Sequence, residues 1–218
     1  MLPRVVGLMP TFNRPEMAHR AAHFFLAQDY PGQHDLIVYD DGNQKFEPCA
    51  ECAPQLRLVR HAWLKLPAKR NKMISDDGDR DALYVTWDDD DYHGPSRISR
   101  QVEAITAGGS HVQACLLRPT LYYNSLTHEV ATSTWISDGT LAFTWDCWQR
   151  YGGYEEQVDP GSGRLFAERR VREIVQLDGE LDYCVIVHAG QRHTPPAFNP
   201  LDFSGAPISA DELRERLR

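Results

Sequence analysis

Three short apolar runs, each closed by a turn, alternate with amphipathic segments in the first half of the chain, and this alternation restricts the available folds more than any other feature. Residues 5–9 (VVGLM) stop at Pro10. After Asn13-Arg14-Pro15, apolar side chains recur at Met17, Ala21, Phe24 and Phe25, a helical spacing with Pro15 in the first turn, where its missing N–H breaks no bond. Residues 36–39 form a second run, ended by Asp40-Asp41-Gly42, and residues 83–87 a third, ended by Asp88-Asp89-Asp90-Asp91. Ser96 is then placed to cap a helix with Ile98, Val102 and Ile105 on one face, and Gly108-Gly109 stops it. Strands alternating with helices predict an α/β fold, a mostly parallel central sheet with helices on both faces. Ligands of such sheets sit at the carboxyl ends of the strands, where the acidic clusters stand.

Beyond residue 110 the pattern is richer in strands, with 112–117, 140–143 and 184–187 expected as strands and helix only around 165–176. Residues 1–195 read as one domain with halves of about 1–110 and 111–195. Residues 196–218 read as a Pro-rich tail, after which Ser209 and Glu212 have the capping-box spacing for a short terminal helix. The 218 residues carry 23 Lys and Arg against 31 Asp and Glu, a net charge of −8, which argues against a binder of duplex phosphates or anionic membranes. With 42% hydrophobic residues the chain can bury a core, so disorder as the main state is excluded.

The five cysteines, Cys49, Cys52, Cys115, Cys147 and Cys184, are odd in number and scattered, and are expected as reduced thiols. No apolar run approaches the ~20 residues of a membrane span and no signal-peptide pattern opens the chain, so the expected location is cytoplasmic. Cys49-Ala-Glu-Cys52 has the spacing of half a zinc site. No second pair follows at a matching distance and His61 alone does not complete four ligands, so zinc is not expected.

The four aspartates 88–91 carry the strongest chemical signal. Adjacent carboxylates repel one another unless a cation or hydrogen-bond donors compensate, and hard oxygen ligands of this kind suit Mg²⁺ or Mn²⁺ holding a diphosphate. Acidic runs are also commonly solvated turns. The place of this one, directly after LYVTW and before a turn into a helix, favours the metal.

Five segments, in order, resemble the inverting family 2 glycosyltransferases with the GT-A fold. VVGLMPTFNRP (5–15) is similar to the family's first strand and nucleotide-contacting turn, and DLIVYDDGN (35–43) to its second strand with a uracil-contacting acid. LPAKRNKMI (66–74) resembles its Ala-Arg-Asn segment, LYVTWDDDDYHGP (83–95) its metal-binding Asp-x-Asp element, and DGTLAFTWDCWQRYGGYEE (138–156) its strand, helix and Gly-Gly-aromatic-acid turn. The resemblance covers residues 4–156 and makes the first half nucleotide-binding and the second the acceptor side.

It implies transfer of a sugar from a nucleotide diphosphate, with a family bias to uridine, to an acceptor hydroxyl with inversion, assisted by Mn²⁺ or Mg²⁺. Carried over residue by residue, it implies that Thr11, Asn13 and Arg14 meet the nucleotide edge and that Asp41 meets the base, with Asp40 as the neighbouring alternative. It places Arg70 on the nucleotide or its diphosphate. Asp88 and Asp90 fit Asp-x-Asp, with Asp90 the direct metal ligand and Asp91 orienting the sugar or binding through water. VIVHAGQRHT (185–194) resembles a late strand and loop that bring a histidine, here His188, back to the diphosphate as metal or phosphate ligand, with Arg192 and His193 following. Trp135, among polar neighbours, is the aromatic candidate for the acceptor; the acceptor itself, whether glycan, small molecule, protein or nucleic acid, stays open, as does the oligomeric state.

The chain departs from the family at the catalytic base. Where the family has an acid before a helix, GSGRLFAER (161–169) has Ser162 and Gly163. The nearest carboxylates are Asp159 and Glu168, and Asp159, in a Pro- and Gly-rich loop, is the expected base. The rival is a nucleotide-sugar-binding protein with weak or no turnover. A sugar nucleotidyltransferase is disfavoured because the first turn, PTFNRP, has no glycine to cradle phosphate.

Overall fold

The computed structural model describes residues 2–157, 173–189, 203–206 and 208–216. Four parallel strands, β1 (Val5–Thr11), β2 (His34–Asp40), β3 (Leu56–Arg60) and β4 (Leu83–Thr86), form one side of a seven-stranded sheet. The other side holds β6 (Ala114–Leu117), β9 (Leu141–Thr144) and β10 (Ile174–Leu177), in the order β10-β6-β9-β4-β1-β2-β3. Only β9 runs against the rest. The fold is thus α/β with a mostly parallel central sheet.

Alternation along β1 decides how the helices pack. Val5 and Met9 lie in one buried cluster with Ala18, Ala21 and Phe25 of α1 (Pro15–Leu26) and Ile98 and Val102 of α3 (Arg97–Ala107). Val6 and Leu8 lie in another with Met73 and Ile74 of α2 (Leu66–Asp77) and Cys147 of α4 (Trp145–Arg150). Successive side chains of a strand point to opposite faces, so a continuous apolar run needs helices on both. Pro10 continues β1 instead of stopping it. Leu8 accepts from the Trp87 amide, so residues 8 and 10 face β4, and pairing with β4 ends at Thr86; the missing N–H of Pro10 therefore breaks no ladder bond.

A second sheet, of order β12-β8-β7-β11-β5, contains β5 (Tyr92–His93), β7 (Thr120–Asn124), β8 (Val130–Ser133), β11 (Tyr183–Val187) and β12 (Phe203–Gly205). It begins directly after the acidic run, and β11 ends directly before His188. The terminal helix α5 (Ala210–Arg216) is present, its Glu212 amide bonded to Ser209 Oγ at 3.2 Å. Because β12 pairs with β8 and Leu213 is buried against Tyr92, Leu121 and Ile186, these residues pack onto the second sheet.

Two further expectations differ from the structure. Helix was expected through residue 176, but Ile174–Leu177 is a strand: IVQL pairs in parallel register with Ala114–Leu117, and edge pairing outweighs the local pattern. Cys49 and Cys52 are joined as a disulfide rather than both being thiols, since the turn between them brings their Cα atoms to 5.3 Å, well within bridging range; Cys115, Cys147 and Cys184 are free and buried. Among the described residues no helix is long and apolar enough to cross a membrane.

Candidate functional site

The acidic run leaves the sheet where β4 ends, over a fixed floor. Trp87 is fully buried and donates through Nε1 to the Ala21 carbonyl of α1 at 2.9 Å. Its ring stacks on His93, which contacts the Asp88 carbonyl through Nε2 at 2.9 Å. Arg97, also fully buried, bonds the carbonyls of Thr86 and Gly139 at 2.8 and 2.7 Å and meets His93 Nδ1. Burial and the Arg97 charge hold the His93 pKa well below the usual histidine range, so His93 is neutral and acts as a fixed donor to the Asp88 backbone.

The four carboxylates have different surroundings. Asp88 accepts from Arg70 Nη2 at 2.6 Å. Asp89 is 1% exposed and pairs with Arg14 Nη2 at 2.5 Å, while its Oδ2 has no hydrogen-bond partner among the described residues. Burial, then the Asp90 charge, push the Asp89 pKa up to about 7 in spite of Arg14. Asp90 meets Arg14 Nη1 and lies 3.2 Å from His188 Nε2. Burial alone would raise the Asp90 pKa, but His188 and Arg14 outweigh it and the net shift is downward. Asp91 belongs to the second sheet: it bonds the Tyr183 hydroxyl and the Ile186 amide (3.0 Å), and burial raises its pKa well above the carboxylate range.

The partners of these acids arrive from separate elements. Arg14 is the N-cap of α1, Arg70 lies in α2, and His188 follows β11. Arg70 is 1% exposed, between Asp88 and Asp138, with Tyr154 5.5 Å from its guanidinium carbon. Burial would lower its pKa, but the charges of Asp138 and Asp88 raise it. Its Nε is buried with no hydrogen-bond partner among the described residues. Asp138 was not singled out from the sequence. The signal was present, an acid opening the segment that resembles the family, yet nothing local links it to residue 88.

Carboxylates drawn onto arginines do not form a closed cage. Among the described residues, the one group of three His, Cys, Asp or Glu ligand atoms within 4.8 Å of one another lies elsewhere, at His23, Cys49 and Cys52. Asp90 and His188 are nonetheless adjacent. One carboxylate and one imidazole fit Mg²⁺ or Mn²⁺ when phosphate and water supply the remaining positions, which is how these ions are usually held.

The loops at the ends of β1 and β2 are more tightly knit than the sequence indicates. Thr11, the last residue of β1, is buried beside Asp89. Asn13 has a positive φ of 55°, and its Oδ1 accepts from the amides of Asn43 (2.6 Å) and Gln44 (2.9 Å), locking two loops together. Asp40 is fully buried and accepts from the Gly42 and Phe46 amides and Arg60 Nη1 at 3.0, 3.1 and 2.7 Å. Asp41 accepts from Lys69 Nζ at 2.7 Å and the Leu64 amide at 3.1 Å, with its side chain 1% exposed. Two aromatic rings stand exposed on flanking loops, Phe12 and Trp63, neither of them singled out in the sequence; Trp135 is 38% exposed after β8. Asp159, with Ser162, Gly163, Glu168, Arg192 and His193, lies outside the described residues.

The profile of glycosyl transferase family 2 matches residues 8–141, more than half of the chain. No curated protein matches. Among solved structures, S. aureus TarS 1-349 in complex with UDP is similar with a TM-score of 0.60 at 14% identity, over 84% of this chain and 60% of that chain. The same protein in complex with UDP-GlcNAc gives 0.61 at 14%, over 86% and 60%. The mannosyltransferase PcManGT from Pyrobaculum calidifontis, in complex with GDP-Man and Mn²⁺, gives 0.60 at 15%, over 88% and 59%. The chain spans about three fifths of the length of these proteins, and the likeness shows a common GT-A fold. Since the matched profile takes in the last four residues of β1, all of β2 and β4, the whole acidic run and Asp138, the chain belongs to glycosyl transferase family 2.

Proposed function

We propose that the chain is a metal-assisted transferase that moves a sugar from a nucleotide diphosphate, uridine-based, to an acceptor hydroxyl with inversion. One observation carries the reading: Asp88, Asp89 and Asp90 converge with Arg14, Arg70 and His188 at the carboxyl ends of parallel strands. Carboxylates alone would repel a diphosphate, and cations alone would need no carboxylates. Both together suit a diphosphate held with a divalent ion. TarS in complex with UDP and UDP-GlcNAc, and PcManGT in complex with GDP-Man and Mn²⁺, support a nucleotide-sugar donor.

Asp90 and His188 would hold Mn²⁺ or Mg²⁺, with Asp88 assisting, and the ion when bound stabilises charge on the departing nucleoside diphosphate as a Lewis acid. Arg70 lends its charge from beneath, beside Asp88, and Arg14, one-third exposed, has a guanidinium that already spans Asp89 and Asp90 and can turn to a phosphate oxygen. At the base end Asp41, which has two donors, is the better candidate than Asp40, which has three. Asp41 reads a base imide N–H in exchange for the Leu64 amide, and exposed Trp63, next to Leu64, offers a stacking surface. Asp91 positions the run through β11 and does not meet the sugar.

Inversion is a single displacement. The acceptor oxygen bonds to the anomeric carbon, its proton passes to a carboxylate, and the bond to the diphosphate breaks with its electron pair on the phosphate oxygen. Asp159 is the proposed base. Asp138, in the site with its side chain 30% exposed, is the second candidate, although it is already paired with Arg70. The test is turnover of UDP-GlcNAc and other sugar nucleotides with Mn²⁺ in Asp159→Asn and Asp138→Asn, with donor affinity measured separately. Loss of turnover with donor binding kept identifies the base, and full activity dismisses the residue changed. A native protein that binds donor and transfers to nothing would instead be a nucleotide-sugar-binding protein, the reading favoured by Ser162 and Gly163 standing where the family has its acid.

A further inference from the structure

The loop between β2 and β3 carries Cys49-Ala-Glu-Cys52, and α1 brings His23 against it. His23 Nε2 lies 4.0 Å from Cys49 Sγ, and one ligand atom from each of the three residues falls within 4.8 Å of the others. His23 is exposed, Cys49 half-buried and Cys52 buried, so the group opens to solvent on one side. The third ligand precedes the cysteine pair in the chain, 26 residues before Cys49. His19, one helical turn earlier, is not part of the group, because its ring packs on Phe46 with centroids 4.8 Å apart.

The two sulfurs are bonded to each other, and a disulfide is not a thiolate ligand. A dithiol reductant converts the pair to two thiols, taking two electrons and two protons from the reductant, which becomes a disulfide itself. Two thiolates at Cys-x-x-Cys spacing and one imidazole are soft and borderline ligands, the set zinc prefers, whereas the oxygen-rich site at Asp88–Asp90 suits hard ions. We propose that the reduced chain binds one Zn²⁺ through Cys49, Cys52 and His23, with water in the fourth position. Binding forms two Zn–S bonds and one Zn–N bond and releases the two thiol protons to solvent.

Disulfide and zinc then have different mechanical consequences. The disulfide closes only a four-residue loop, while zinc also ties that loop to α1. The near part of the same loop is already fixed, since Phe46 donates its amide to Asp40 and Arg60 bonds Asp40, the Phe46 carbonyl and Glu47. A zinc tether at residues 49–52 would therefore hold both ends of the segment that borders the base end of the candidate site.

The test is titration of the reduced full chain with Co²⁺ alone, followed by absorption. Thiolate-to-cobalt charge-transfer bands and tetrahedral d–d bands are expected to saturate at one equivalent and to bleach when Zn²⁺ is added. His23→Gln, a change at an exposed residue, is expected to keep the fold by circular dichroism and to weaken Co²⁺ affinity by at least about tenfold. Asp90→Ala is expected to leave the bands unchanged, which separates this site from the acidic one. Absence of the charge-transfer bands after reduction, bands insensitive to His23→Gln, or a disulfide that dithiol does not open would each overturn the proposal.

Discussion

Asp90 and Asp91 are neighbours of the same type, yet they have opposite surroundings. Asp90 faces Arg14 and His188, and its carboxylate is held in the charged form. Asp91 is satisfied by the Tyr183 hydroxyl and the Ile186 amide, away from those two side chains. Asp90→Ala is therefore expected to reduce Mn²⁺-dependent UDP affinity at least tenfold with little loss of stability, as read by calorimetry with and without the metal; unchanged affinity would remove Asp90 from the site. Asp91→Ala leaves a buried amide without its acceptor, and the expected result is destabilisation of about 1–3 kcal/mol in denaturant unfolding. The sequence alone does not separate the four aspartates. What separates them is the turn into β5, which hands the last one to β11, a strand ninety residues further along the chain. The same holds for Asp40 and Asp41, whose partners at Arg60 and Lys69 lie beyond the turn that both residues open.

Between elements, the joint of the two sheets depends on Gly139, which lies in a one-turn 3₁₀ segment before β9. A Cβ there would collide with the Tyr183 hydroxyl and Asp88 Oδ2, and the Gly139 carbonyl is held by Arg97. Gly139→Ala is expected to cost roughly 1–3 kcal/mol of stability, as overpacking does, and also to weaken nucleotide binding by shifting Asp88. A variant with native affinity and native stability would show that the joint yields. Elements set by local periodicity, β1, α1, β2, β4 and α3, were legible from the sequence, because each carries its own apolar face. The elements of the second sheet were less legible. β5 has two residues and β12 three, and neither has a pattern long enough to read; each is a strand only because a partner edge is available. The cysteine pairing is not legible in the sequence for a related reason, since scatter along the chain says nothing about a turn of four residues. Thiol counting tests this pairing. Of five cysteines two are bridged, leaving 5 − 2 = 3, and all three are buried, with burial pushing Cys115 up to about 12. At pH 8 the native chain is expected to show no fast-reacting thiol, two after mild reduction, and five after reduction and unfolding.

For the molecule as a whole, the net charge of −8 opposes the approach of an anionic nucleotide sugar. Long-range attraction cannot supply affinity here, so it must come from groups at the site, where Arg14 and Arg70 offset part of the acidic charge and a divalent ion would offset the rest. Binding at such a site acts on folding by mass action: a ligand at a hundred times its dissociation constant stabilises the native state by about 2.7 kcal/mol, which for a domain of this size raises Tm by roughly 5–10 °C. UDP with Mn²⁺ is therefore expected to raise Tm within that range. UDP with a chelator, or Mn²⁺ without nucleotide, is expected to give much smaller shifts, because Asp90 and His188, adjacent among the described residues, would hold the ion weakly unless phosphate and water supplied the remaining positions. Asp90→Ala should abolish the difference between metal and chelator while keeping the melting of the free protein close to native. An equal shift by UDP in metal and in chelator would mean that the arginines hold the diphosphate unaided and that the acidic run serves only to position them.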